Sequence, residues 1–359
     1  MNKKFDVVSQ ILRNAEIAPK KIAVEDMSGC LTYEQLVQQS MNLKQKILSR
    51  YMEGATICVD LGRCKERVIA LVAILAANAS YLPFDSNWPQ SRKEMVFQSA
   101  LPQASIQVNS QTGEFDLCEC SYAKGANQKC RNGYLIYTSG STGTPKGVEI
   151  SKESLNYVIG HSVARFPITC KDKLLAVSSP AFDFSMLELL APLAAGGMVC
   201  VADEMTSKNP DSFSSVIERH GITILTGTPT LFYMMTRGGW TPNETQMIIL
   251  GGEAPYSALV ERLSEAKVIW NIYGPTETTI YCLSSKIVLG SPIVLGTAFP
   301  GTKITLDRSS LSNTNFKTTY SGEIIVEGPS VGRGYIGGSV TDNMHFLTIM
   351  GSADIEPEM

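Results

Sequence analysis

The sequence has no excess of charge of either sign: 31 lysines and arginines face 34 aspartates and glutamates, for a net charge of −3. That excludes a basic nucleic-acid-binding surface as the organising principle. Long hydrophobic runs are also missing. The longest uncharged apolar stretch, Val68 to Ala77, falls well short of the ~20 residues that cross a bilayer, so it predicts a buried core helix and no membrane span. The N-terminus, MNKKFDVVSQILRN, meets Asp6, Ser9 and Gln10 where a signal peptide would be apolar. Internal repeats and low-complexity segments are absent, and 44% hydrophobic residues exclude a largely disordered chain. Nine cysteines, an odd number without a secretory signal, predict reduced thiols and a cytoplasmic protein. Cys118, Cys120 and Cys130 lack a fourth ligand and a C-x-x-C knuckle, which disfavours zinc.

A length of 359 residues allows two or three packed units. Thr32 and Gln35 form a capping-box pattern, and Leu36, Met41, Leu43 and Ile47 follow at roughly helical spacing. ATICVDLG, GYLIYTSG, KLLAVSS, GITILTGTP and MIILGG read as short strands, each followed by a helical pattern. Strands alternating with helices predict a mostly parallel sheet covered on both faces. After about Ser285 the pattern changes to short alternating stretches, PIVLG, KITLD and GEIIVEG, which predict a small antiparallel barrel or sheet.

The sharpest local feature is LIYTSGSTGTPKGVEIS, Leu135 to Ser151. An apolar strand delivers three glycines (Gly140, Gly143, Gly147), four hydroxyls (Thr138, Ser139, Ser141, Thr142) and one cation, Lys146. Glycines let backbone N–H groups converge on an anion, hydroxyls add donors, and lysine supplies charge for phosphate oxygens. Neither a Walker loop nor a G-x-G-x-x-G register fits.

This loop resembles the signature of the adenylate-forming superfamily, which includes amino-acid adenylation domains of nonribosomal peptide synthetases, acyl- and aryl-CoA synthetases and luciferases. Further segments agree in the family's order: LTYEQL at Leu31, ASYLPFDSNWPQSR at Ala79, PAFDFSMLELL at Pro180, LGGEAP at Leu250, NIYGPTETT at Asn271 and GEIIVEGPSVGRGYIG at Gly322. They cover nearly the whole chain. The resemblance implies an α/β fold of two doubly wound subdomains, 1–175 and 176–288, with a small distorted β-barrel at 289–359.

It also implies activation of a carboxylate by Mg·ATP, giving an acyl-adenylate and pyrophosphate. Such chemistry is alignment plus charge neutralisation, in keeping with only three histidines, none within a motif. By resemblance, Thr138, Ser139, Gly140, Ser141, Thr142, Gly143 and Lys146 hold the β- and γ-phosphates. Glu277 holds Mg²⁺, the Thr276 hydroxyl meets the α-phosphate, and the Tyr273 ring stacks on adenine. Gly251, Gly252, Glu253, Asn271, Ile272 and Gly274 line the nucleotide.

Asp183 matches the aspartate that pairs with a substrate α-ammonium group in amino-acid-activating members; the bland reading is a helix N-cap. The same motifs place the side-chain pocket at Phe184, Leu187, Thr226, Ile249, Gly251, Ile272, Ile280 and Tyr281. The set is apolar apart from one hydroxyl and one phenol, which implies a small or medium neutral amino acid, aliphatic above all. The alternatives are an acyl- or aryl-CoA ligase core, or a non-catalytic or in-trans-complemented module.

The sequence departs from the family at its end. The usual Thr-Gly-Asp that binds ribose has its counterpart in Ser352, Ala353 and Asp354, and the chain stops at Met359. The expectation is a monomeric core without the C-terminal lid subdomain and its catalytic lysine. That subdomain and a carrier protein bearing phosphopantetheine are the implied partners.

Overall fold

Alternation of short β-rich runs with amphipathic segments builds two sheets with helices between and around them. The structure is a computed structural model describing residues 5–109, 112–120, 132–139, 145–307 and 322–337. The first strands are β1 (Ile22–Asp26), β2 (Gly29–Thr32), β3 (Thr56–Val59), β4 (Ser80–Pro83), β5 (Ala104–Val108), β6 (Phe115–Glu119), β7 (Gly133–Ser139) and β8 (Pro145–Ser151). There follow β9 (Lys173–Ala176), β10 (Met198–Val201), β11 (Ile224–Gly227), β12 (Met247–Leu250), β13 (Val268–Tyr273), β14 (Leu283–Ile287), β15 (Thr297–Ala298), β16 (Lys303–Asp307), β17 (Glu323–Glu327) and β18 (Gly334–Tyr335). The helices are α1 (Val7–Ile17), α2 (Tyr33–Arg50), α3 (Lys65–Ala76), α4 (Gln90–Ala100), α5 (Lys152–Arg165), α6 (Phe184–Ala194), α7 (Pro210–His220), α8 (Pro229–Arg237) and α9 (Ser257–Arg262).

A seven-stranded sheet has the order β18-β8-β7-β4-β3-β5-β6, and a nine-stranded sheet the order β15-β14-β13-β12-β11-β9-β10-β1-β2. The inner strands of both are parallel, as the strand–helix alternation predicts, and antiparallel strands close the edges. The capping box forms: the Gln35 N–H donates to the Thr32 hydroxyl while the Thr32 N–H donates to the Gln35 side chain. The apolar run from Val68 lies within α3 and is buried throughout 68–75. No described helix is long and apolar enough to cross a membrane. The cysteines among the described residues are unpaired.

α6 is the central element. Every residue from Phe184 to Ala194 is buried, because the helix packs on β9 and β10 of one sheet and against α5, which covers β7 and β8 of the other. One hydrophobic core therefore spans both sheets. The sheets do not follow the expected division at 175. β1 inserts beside β10 with Val24 opposite Val199, so residues 22–32 belong to the nine-stranded sheet. Local periodicity carries no signal for such a long-range strand insertion. Beyond 288, β16 and β17 form an antiparallel ribbon, while β15 and β18 join the two large sheets. PIVLG is not a strand: Pro292 has no N–H to give a ladder, and the Val294 carbonyl is taken by the side chains of Asn271 and Ser285.

Candidate functional site

The glycine-rich segment lies between β7 and β8, which pair antiparallel. Register places Thr138 opposite Lys146 and Ser139 opposite Pro145, so hydroxyl and cation stand across from each other at the end of the pair. Gly140, Ser141, Thr142 and Gly143 lie outside the described residues, as do Asp354 and the side chain of Ser139. Gly147 serves packing. A Cβ there would come within 2.7 Å of the Tyr137 ring and 3.0 Å of Ile336. The Lys146 ammonium stands 5.4 Å from the centroid of the Tyr335 ring, contributed by β18.

The GPTETT turn leaves β13 and doubles back into β14. Gly274 is required by close approach, since a Cβ would lie 2.5 Å from Tyr281 Cα. Thr276–Thr278 form one 3₁₀ turn, after which Thr279 (φ 61°) and Ile280 (φ 72°) both adopt left-handed backbone. Two consecutive β-branched residues in that region are strained by on the order of 1–3 kcal/mol each. The surroundings hold them there: both are buried, and the Thr279 hydroxyl donates to the Ser330 carbonyl at 2.6 Å. Glu277 is fixed twice from the segment leading into β18. The Gly332 N–H donates to its carbonyl at 2.8 Å, and the Tyr335 hydroxyl donates to its Oε1 at 2.5 Å.

The same turn meets the N-terminus of α6. Asp183 is fully buried and its carboxyl is pushed up to about 6, first by desolvation and further by the nearby Glu277 charge. The Thr276 hydroxyl and the N–H groups of Ile280 and Phe184 offset part of this. Even so, Asp183 Oδ2 is buried without a hydrogen-bond partner. Asp183 stands at the N-cap position yet caps nothing, so the bland reading of this residue fails. A buried acceptor left open beside a strained N–H and a second carboxylate is arranged to receive a cationic donor.

Other expected pocket residues converge beside it. Gly251 lies where a Cβ would come within 2.7 Å of Ile272 and 2.9 Å of Phe184. Leu187, Ile249 and Ile280 are buried in the same cluster. Gly252 (φ +79°) faces Phe182 and Thr228. The Thr226 hydroxyl is not idle: it donates at 2.6 Å to Glu188 on α6. Three expected residues turn elsewhere. The Tyr281 phenol pairs with Ser162 at 2.8 Å, its ring stacked on Phe166. Asn271 Nδ2 donates to the Val294 carbonyl at 2.9 Å, and the Glu253 carboxylate accepts from the Thr230 N–H and hydroxyl. Tyr273 is half-buried at the end of β13, its hydroxyl pushed up by desolvation.

Sequence reasoning missed Glu188 and Tyr335 as site residues. Glu188 had a signal, being the only charge in the apolar run FSMLELLAPLA; Tyr335 becomes visible only through the pairing of β18 with β8. No group of three or more metal-ligating side chains occurs among the described residues. A single carboxylate such as Glu277 nevertheless suits Mg²⁺, which takes one or two protein carboxylates and completes its shell with phosphate oxygens and water.

The AMP-binding enzyme family matches residues 11–336. The chain is 32% identical over 345 residues to the PKS-NRPS hybrid synthetase ATPKS of Aspergillus niger, covering 88% of this chain and 18% of that protein. It is 28% identical over 366 residues to syringomycin synthase SyrB1 of Pseudomonas syringae, covering 93% of this chain and 59% of that one. The chain thus spans less than two thirds of either relative. Among solved structures it resembles holo-AB3403, a four-domain nonribosomal peptide synthetase bound to AMP and glycine. That match has a TM-score of 0.83 and 25% identity, covering 95% of this chain and 26% of that one.

Proposed function

The chain belongs to the AMP-binding enzyme family, and from that premise we propose that it activates a small or medium neutral amino acid, aliphatic above all, to an aminoacyl-adenylate. One carboxylate oxygen of the amino acid attacks the α-phosphorus of ATP, the bond from that phosphorus to the bridging oxygen breaks, and pyrophosphate leaves with both electrons of that bond. The product serves for transfer to a phosphopantetheine thiol on a carrier protein, with AMP as the leaving group.

Asp183 carries the reading. Its buried, unpartnered Oδ2 is suited to the α-ammonium group, which would exchange an uncompensated anion for a hydrogen-bonded ion pair. Phe184, Gly251 and Ile272 supply apolar walls next to it. The Thr276 hydroxyl interacts with Asp183 and is the group proposed to meet the α-phosphate, and Lys146 with Thr138 borders the segment proposed to hold the terminal phosphates. Glu277 would hold Mg²⁺, whose chemistry when bound is to neutralise phosphate charge. Tyr335 keeps one oxygen of Glu277 fixed by donating to it. In this reading the residues of the 276–280 turn would orient two charges, Asp183 for the amino acid and Glu277 for the metal that serves the phosphates.

The test is a thermal-shift panel of the common amino acids with Mg·ATP, alongside their sulfamoyl-adenosine analogues. Stabilisation by a subset of neutral amino acids is expected. No stabilisation by any neutral amino acid or analogue would overturn the proposal.

A further inference from the structure

Glu188 is a buried acid that the proposed chemistry does not use. Only 1% of its surface is exposed, and it sits in the middle of α6 among apolar neighbours. Both of its carboxylate oxygens nonetheless have partners. Oε2 accepts the Ser178 backbone N–H at 3.0 Å, while Oε1 accepts both the Ser178 hydroxyl at 2.8 Å and the Thr226 hydroxyl at 2.6 Å. A hydroxyl has one proton and two lone pairs. Thr226 commits its proton to Glu188, so any other group that meets this oxygen meets lone pairs.

We propose that Glu188 is a specificity-positioning residue: by claiming the Thr226 proton it makes the one aliphatic hydroxyl of the expected pocket wall acceptor-only. The wall then tolerates an aliphatic side chain and rewards a donor, but repels a side chain that offers an ether or carbonyl oxygen. This deepens the amino-acid reading and rests on it, through the placement of Thr226 beside the substrate.

The geometry dictates what Glu188→Gln does. The Ser178 N–H can only donate, so the substituted side chain settles with its amide oxygen at the former Oε2 position. The amide NH₂ then occupies the former Oε1 position and donates to both hydroxyls. Thr226 becomes an acceptor toward residue 188, and its own proton is released toward the pocket. One isosteric substitution thereby inverts the polarity of the wall.

The probes are the sulfamoyl-adenosine analogues of norvaline and O-methylserine, which have the same shape and differ by one ether oxygen. Affinities are measured by calorimetry at pH 8.5, where Glu188 is ionised, since burial raises it only to about 7. In the unsubstituted protein norvaline is expected to bind about tenfold more tightly than O-methylserine, and Glu188→Gln to shift that ratio by about tenfold toward O-methylserine. Thr226→Val should also narrow the ratio, and adding Glu188→Gln to it should change nothing further. A merely structural Glu188 predicts that both probes weaken equally with the ratio intact, and that result overturns the proposal. If Glu188→Gln does not fold, Thr226→Val decides: an unchanged ratio overturns the proposal, and a narrowed one supports it. Failure of every neutral analogue to bind the unsubstituted protein overturns the amino-acid reading itself, and this inference with it.

Discussion

Asp183, at the N-cap of α6, and Glu188, five positions on in its middle, belong to the same buried element, and both carboxyls are pushed upward by desolvation. They differ in what surrounds them. Glu188 has three hydrogen bonds and no open oxygen, whereas Asp183 keeps Oδ2 unpartnered beside a strained turn and a second carboxylate. A satisfied buried acid shapes its neighbours; an unsatisfied one leaves room for a ligand. Desolvation alone does not separate them, so hydrogen-bond accounting is the better guide to function here.

The largest expected effect breaks the comparison at Asp183. Asp183→Ala should lower the affinity for an aminoacyl sulfamoyl-adenosine by about 100-fold or more, since losing one partner of a buried ion pair costs about 3–5 kcal/mol. AMP affinity, measured by the same calorimetry, should stay within about twofold. Equal loss of AMP binding would make Asp183 a structural residue and erase its difference from Glu188.

Stability should move the other way. The folded-state value of Asp183, about 6, lies above its ordinary 3.8, so the folded chain holds this proton more tightly than the unfolded chain. Its contribution is therefore present at low pH and lost as pH rises through about 6. Asp183→Asn should stabilise the ligand-free protein at pH 8 by on the order of 1–3 kcal/mol, with the gain vanishing by about pH 4. Urea midpoints across pH check this, and a gain independent of pH would point to packing instead of charge.

How much of this was legible beforehand depends on range. The capping box at Thr32, the buried run from Val68 and the apolar strand that leads into the glycine-rich segment are local patterns, and the fold reproduces them, whereas the antiparallel return of β8 beside β7 is not read from them. The insertion of β1 beside β10 and the return of β18 to β8 are pairings between distant segments, and no periodicity encodes them. The site divides along the same line. Asp183 and Glu277 stand out as charges within motifs. Their meeting depends on the left-handed backbone at Thr279 and Ile280, which β-branched residue types argue against and only tertiary packing enforces. The turning of Tyr281 toward Ser162 was likewise invisible, because spacing along a chain does not report which way a phenol points.

A third carboxylate extends the comparison. Glu277 is neither enclosed by a local network like Glu188 nor open within the core like Asp183; it is half-buried and held through Oε1 by Tyr335. Glu277→Gln should weaken Mg²⁺-dependent ATP binding by about tenfold, because a neutral amide is a poor ligand for a hard dication. ATP titrations at several Mg²⁺ concentrations measure this. Equal weakening with and without Mg²⁺ would argue against a metal role.

The smallest effect is the most discriminating, because Tyr335 makes two separable contacts. Its hydroxyl donates to Glu277, while its ring lies beneath the Lys146 ammonium. Tyr335→Phe removes the first and keeps the second. The Glu277 carboxylate then loses one charge-assisted hydrogen bond of about 1.5–3 kcal/mol, of which only the part that fixes its orientation bears on Mg²⁺. The Mg²⁺ concentration for half-maximal ATP binding should rise by about three- to fivefold, with aminoacyl-analogue affinity unchanged. Tyr335→Leu removes both contacts, and ATP binding should then weaken even at saturating Mg²⁺, since Lys146 loses its aromatic support as well. If Phe and Leu behave alike, the hydroxyl carries the whole effect and the ring under Lys146 is only packing. If Phe matches the unsubstituted protein, the short bond to Glu277 does not orient the carboxylate, and Glu277 is positioned by its backbone tie to Gly332 alone.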